Sequence, residues 1–192
     1  MLPNPLNDAE RLLRFNAELL TQALALVAAH QAGHQTANAP RYAGTVGAHL
    51  RHVIEHHEAL VFAARSGTVD YDGRARDREL ENQPALAHAR LWALQARLAA
   101  WPGAALDTPL RVLGLAGVRG EFAFAVGSTL GRELAFVASH AVHHFALLHA
   151  HCAQHGIPLP AGFGLAPATQ AHARATTLSN KENVCPALQA AA

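Results

Sequence analysis

The chain has 192 residues, of which 51% are hydrophobic and 15% charged, and its net charge is +1. That balance suits one domain with a tail and excludes a disordered, strongly charged chain. No basic run supplies the clustered positive field that phosphate binding needs, so nucleic acid is not an expected partner.

The N-terminus, "MLPNPLNDAERLLRF", carries early charges and no apolar signal core, so it does not read as an export signal. No run approaches the roughly 18 apolar residues of a membrane span, and no membrane partner is expected. Asn7 or Asp8 caps a first helix, "AERLLRFNAELLTQALALVAAHQ", in which Leu12, Leu13, Leu19, Leu20, Leu24 and Val27 recur at helical spacing. "AGHQTANAPRYAG" is a turn-rich connector. Thr45 then caps a second helix, "VGAHLRHVIEHHEALVFAAR", which stops at Ser66-Gly67. A polar loop, "GTVDYDGRARDRELEN", follows. A third, Ala-rich helix takes residues 74–100, with Pro84 imposing a kink or a late start, and ends at Trp101-Pro102-Gly103.

Residues 107–127 are rich in Val, Phe and Gly with partial alternation, and predict a small hairpin or extended excursion. Ser128 or Thr129 caps the fourth helix, which runs to about His155 and ends at Gly156. "PAGFGLAPATQ" reads as an ordered loop and "TTLSNKENVCPALQAAA" as a loose tail. The predicted class is therefore all-α: a four-helix bundle over residues 1–160, then a C-terminal loop and flexible tail over 161–192. Cys152 and Cys185 are far apart, with no CxxC pair. Neither a disulfide scaffold nor a thiolate zinc site is expected, and a reducing cytoplasm is the default location.

Fourteen histidines stand against fifteen Lys plus Arg. Neutral imidazole is the commonest metal ligand, so the excess carries information. Six of them fall in "RELAFVASHAVHHFALLHAHCAQHG" on the fourth helix. At about 100° per residue, Glu133, His140, His144, Leu147 and His151 share a stripe about 60° wide. His149 faces away, and His143 lies on the flank. Residues four apart on a helix have Cβ atoms about 5–6 Å apart, and two imidazoles so placed can reach one ion through bonds near 2.0–2.1 Å. His140 and His144 are thus half of a metal site.

On the second helix His49, His52, Glu55 and His56 form one polar stripe. Leu50, Val53, His57, Leu60 and Val61 form an apolar one. Bringing the two His stripes together makes a three-His site with open coordination positions, the mark of a catalytic rather than a closed structural centre. His49, His56 and His151 are reserve ligands. His57, His88, His143, His149, His155 and His172 read as surface or packing residues, and Cys152 as packing. Glu133 has two readings: a first-turn acid complementing the helix dipole, or an acid/base or outer-sphere group. The charged loop is either a solvated helix start or a rim whose Arg74 and Arg76 hold a substrate carboxylate.

"GAHLRHVIEHHEAL" and "STLGRELAFVASHAVHHFALLHAH" together resemble the DinB-like superfamily of helical-bundle metalloproteins, whose motif is one His in the second helix and His-x3-His in the last. Leu50-Arg51-His52-Val53 matches the first segment, so the resemblance implies His52, His140 and His144 as metal ligands. It covers most of residues 5–160. It implies an up-down-down-up bundle, often a homodimer, holding divalent Zn, Ni or Fe, and thiol transfer, isomerisation or hydrolysis on a small-molecule substrate such as a low-molecular-weight thiol. The extra His49, His56 and His151 depart from the simplest pattern and leave the third ligand and the number of metals open. Two other functions compete: a non-enzymatic metal-binding stress-related or sensor protein, and a bundle whose histidines are only structural.

Overall fold

The computed structural model describes residues 6–33, 41–101 and 106–184, with side chains described up to residue 177. Its elements in chain order are α1 (Asp8–Gly33), α2 (Thr45–Ser66), β1 (Thr68–Asp70), α3 (Arg78–Asn82), α4 (Pro84–Ala99), β2 (Pro109–Ala116), β3 (Phe122–Thr129), α5 (Leu130–Gln154) and α6 (Pro167–Val184). The connector residues 34–40, Pro102, Gly103 and Cys185 lie outside the described residues.

The helix ends follow local chemistry. Asn7 opens α1: its Oδ1 accepts from the Glu10 N–H at 2.9 Å, and the Glu10 carboxylate accepts from the Asn7 N–H at 2.8 Å. Each side chain satisfies a backbone donor that the helix leaves orphaned. The expected cap of α2 is corrected by one residue. Gly44, at φ 96°, holds the cap position with no side-chain bond, and Thr45 is the first helical residue. A β-branched residue does not take that φ, whereas glycine does. Gly67 closes the helix in the left-handed region at φ 73°, donating to the Ala63 carbonyl.

The expected single helix over 74–100 is two. Asp77 caps α3 by accepting from the Glu79 N–H, and Pro84 sits at the start of α4, where its missing N–H costs nothing. Thr129 caps α5, its hydroxyl accepting from the Arg132 N–H. Residues 167–184, expected as loop and tail, form α6 instead. The preceding loop is anchored by Phe163, which is buried and stacks on Phe145 at 4.8 Å between ring centroids.

The expected hairpin is present as β2 and β3, antiparallel from Pro109↔Thr129 to Ala116↔Phe122. A third strand, β1, pairs parallel to β2 through Val69↔Val112. The all-α class is therefore corrected: the protein is mostly helical with a small three-stranded mixed sheet. Three residues in a polar loop give no strand period, which is why β1 escaped the sequence reading. β3 lies at an edge of the sheet, and its Phe122, Phe124 and Val126 are exposed.

Among the long helices, α1 and α2 each pack against both α4 and α5. Leu20, Leu26, Leu50, Ile54, Leu91, Leu134 and Phe145 are fully buried between them. Each such side chain contributes about 1.5–3 kcal/mol through burial. By length and composition alone α1 could also cross a membrane, which the sequence reading did not expect. Here its Leu19, Leu20, Ala23, Leu26 and Val27 join the core, and Asn16 donates to the Leu134 carbonyl of α5 at 3.3 Å.

α2 also lies hard against the backbone before α4. A Cβ built on Gly47 would stand 1.8 Å from the Glu81 carbonyl oxygen and 3.1 Å from the Tyr42 ring. Gly47→Ala is therefore expected to force α2 and α3 apart and cost about 1–3 kcal/mol. Urea unfolding checks this, and an unchanged midpoint would contradict the contact.

Candidate metal centre

α2 packs against α5, and Ala138 and Ala141 of α5 and Leu50, Val53 and Ile54 of α2 are buried. The helices run antiparallel there: His52 meets His140, and His49 meets His144 one turn further along. His52 Nε2 lies 2.9 Å from His140 Nε2, and His144 Nε2 lies 3.1 Å from the same atom. Two nitrogens each about 2.1 Å from one ion and about 90° apart would sit about 3.0 Å from each other. His52, His140 and His144 are half-buried, and each offers a ring nitrogen within 4.8 Å of the other two. This triad could hold a metal ion.

Its electrostatics suit that use. Burial, reinforced by His56, Arg74, His140 and Arg51, pushes His52 down to about 3. Burial, then His140, His52, His49 and His143, pushes His144 down to about 3. His140 is lowered by burial, His143 and Arg74. All three rings are neutral near pH 7, the form that ligates. His144 also has the outer partner that a ligand needs. Its Nδ1 lies 2.7 Å from His49 Nδ1, so with Nε2 turned to an ion its Nδ1–H donates to His49.

Of the reserve ligands, His49 is therefore a supporting group. His56 donates from Nδ1 to the His52 carbonyl at 2.7 Å and packs its ring on His52 and His140 at 4.1 and 4.5 Å. His151 stands apart, against His155 at 4.4 Å. Cys152 is fully buried, and burial pushes its thiol up to about 11, as a packing residue requires.

Glu133 is buried but does not join the triad. Its Oε2 accepts from the Tyr71 hydroxyl at 2.9 Å and its Oε1 from the Ser128 hydroxyl at 2.6 Å. Tyr71 in turn stacks on His56 at 5.2 Å, and burial with the Glu133 charge raises its phenol. A cavity of about 580 Å³ opens on this group. Val112, Phe124, Val126 and Phe136 wall it, and Arg132 and Glu133 are its charged side chains beside Asp72. None of the three triad histidines lines it; His56 and Phe136 stand between, with Phe136 stacked on His140 at 5.6 Å.

Arg74 comes to the triad and Arg76 does not. Arg74 Nη2 donates to His52 Nδ1 at 3.0 Å, and Nη1 donates to the Tyr71 carbonyl and lies 3.4 Å from His56 Nε2. Its Nε pairs with the buried Glu55 Oε2 at 3.5 Å, while Glu55 Oε1 accepts from the Asp77 N–H at 2.8 Å. Arg76 is exposed, at φ 53°. Sequence reasoning missed Tyr71, Ser128 and Phe136. An aromatic inside the polar "VDYDG" was the one available signal, since a loop tyrosine needs an apolar seat.

No family model matches the chain, and no solved structure matches it. Among curated proteins it is similar to "FK506-binding protein 5" of Rhizopus delemar, 32% identical over 118 residues. That match takes in 60% of this chain and 31% of the relative's length. The expected membership of the DinB-like superfamily is thereby overturned. A His on one helix and a His-x3-His on another is a short pattern, and helical spacing alone can produce it. The dimer and the preference for thiols rested on that resemblance and lose their support with it.

The lowered imidazoles have a consequence for stability. Unfolded His titrates near 6.5, whereas folded His52 and His144 titrate near 3. Between those values the unfolded chain binds more protons, so stability is complete above about pH 6.5 and falls as pH drops toward about 3. Melting of metal-free protein is expected to show a Tm that declines from about pH 7 to about pH 4, with a shallower decline in His52→Gln and His144→Gln. A flat Tm in the parent protein would refute the assignment.

Proposed function

We propose that the chain is a metal-dependent enzyme whose ion is held by His52, His140 and His144. The observation that carries this is the convergence of three neutral Nε2 atoms, at 2.9 and 3.1 Å, from helices that α2–α5 packing fixes. Zn, Ni and Fe all accept such imidazole sets. A divalent ion there supplies Lewis acidity, which makes a nucleophile of water or a thiol near neutral pH. Hydrolysis and group transfer are the reaction classes that need this.

The surrounding residues take definite parts. His49 orients His144. Glu133, with both oxygens engaged, holds Tyr71 against His56 and is a positioning residue rather than a free base. The apolar walls of the cavity would receive an apolar portion of a small-molecule substrate. Cysteine usage favours a reducing, cytoplasmic setting.

A second reading, a metal binder or sensor without turnover, is favoured by one observation: the triad does not line the cavity. The name of the Rhizopus relative adds FK506 as a ligand to test against that cavity by calorimetry.

Purified protein is expected to carry about one divalent ion per chain by elemental analysis, and His140→Ala to lose it. Stoichiometric metal that survives His140→Ala would sink the site. Metal-dependent turnover in a screen of esters, amides and thiol–electrophile pairs selects the enzyme, and its absence across that screen selects the binder.

A further inference from the structure

β3 leaves one edge of the sheet open, and the hydrogen-bond pattern says which residues hold it. Arg111 of β2 donates its N–H to the Gly67 carbonyl at 2.9 Å, on the β1 side. The odd residues of β2 therefore face β1, and the even ones, from Leu110 to Ala116, face β3. Their partners are Ser128, Val126, Phe124 and Phe122. Ala123, Ala125 and Gly127 consequently turn their N–H and C=O groups outward, and among the described residues no backbone partner reaches them. Edge strands are normally guarded by charge, proline or a bulge. β3 has none of these: Phe122 to Gly131 carries no charge and no proline, and its register with β2 runs unbroken. Residues Phe122 to Gly127 are exposed on both faces, so the described body does not overhang the edge.

We propose that this edge docks the same edge of a second copy of the chain, antiparallel, about a two-fold axis at Ala125. The register follows from the outward groups. Ala125 pairs with Ala125 of the second copy and Ala123 with Gly127, so every outward N–H and C=O finds a partner by exchange. These residues are small, and a Cβ built on Gly127 would meet nothing. Phe124 then lies opposite Val126 of the second copy in the closer, non-hydrogen-bonded pair, on the face that walls the cavity. Charge selects the orientation. Glu121 precedes the strand and Arg132 follows it, so antiparallel pairing joins unlike ends where parallel pairing would join like ones. A two-fold uses one patch twice and closes the edge, so growth stops at two copies. Phe122 and Phe124 are 63% and 40% exposed. At about 150–250 Å² per aromatic side chain, they supply about 400 Å² over two copies, of the roughly 1,000 Å² that a specific interface needs. Val126 and the strand backbone add to this, which places the dimer at the weak end. The pairing needs no metal.

Sedimentation equilibrium of the full chain, from about 1 to 200 μM, tests this. The parent is expected to rise from the mass of one chain, 20.3 kDa, toward twice that value as concentration increases. Ala125→Pro removes one outward N–H and leaves the bonds to β2 intact, and is expected to stay at one chain throughout. Ala125→Lys sets two like charges opposite each other across the axis and is expected to do the same. It also serves if the proline variant fails to fold. An equal mixture of Ala125→Lys and Ala125→Asp is expected to regain the mass of two chains, because only the register centred on Ala125 brings those positions together. A parent that stays at one chain over the whole range overturns the proposal and leaves the edge to a different partner. Dimers that persist in both single variants place the interface elsewhere and overturn it too. So does a mass that grows past two chains, or a mixture that does not recover.

Discussion

The close antiparallel contact of α2 with α5 is the constraint on which the site depends. Ala138 and Ala141 of α5 are buried among the core side chains. Imidazoles are short, and three of them converge on a point only when their backbones are near. The same contact removes water from the rings and lowers their basicity. Packing, geometry and protonation state therefore have one cause.

A second layer braces the first. Glu55 is buried on α2 and ties the loop after β1 to the helix by accepting from Asp77 and pairing with Arg74. Removing one partner of such a pair strands a buried charge, which costs far more than the pair contributes. The loop is thus held against the histidines although it has almost no regular structure. The Tyr71–Glu133 bond does the same from the α5 side.

Much of this was legible in the sequence. The 3.6-residue period put Leu19, Leu20 and Val27 in the core and set His140 and His144 on one stripe apart from His149. Both stripes of α2 are where the wheel puts them, with Leu50, Val53, His57 and Leu60 buried. The hairpin followed from its Val, Phe and Gly pattern. What was not legible depends on contacts distant in sequence. Arg74 lies 22 residues from His52 and reaches it only because the chain turns back through β1. The sequence could offer Arg74 and Arg76 as equals, and only the fold separates a buried guanidinium from an exposed one. The cap of α2 was misplaced because Thr45 offers a side-chain oxygen for capping, while the turn at Gly44 needs a positive φ. Kinship was misjudged because two short helical patterns were read as ancestry.

Thr129 ends β3 and also caps α5, so strand and helix share a boundary with no linker between them. Insertions and deletions consequently have opposite fates on its two sides. A residue added at the tip of the hairpin, around residues 117–121, lengthens a loop and leaves α5 unturned. A residue added between Thr129 and His140 rotates every later side chain by about 100° relative to the cap. It would carry the histidines and the buried residues of the helix's remaining turns roughly a quarter turn away from their present partners. Length variation is thus absorbed at the hairpin tip, whereas in the eleven positions after Thr129 it turns the helix.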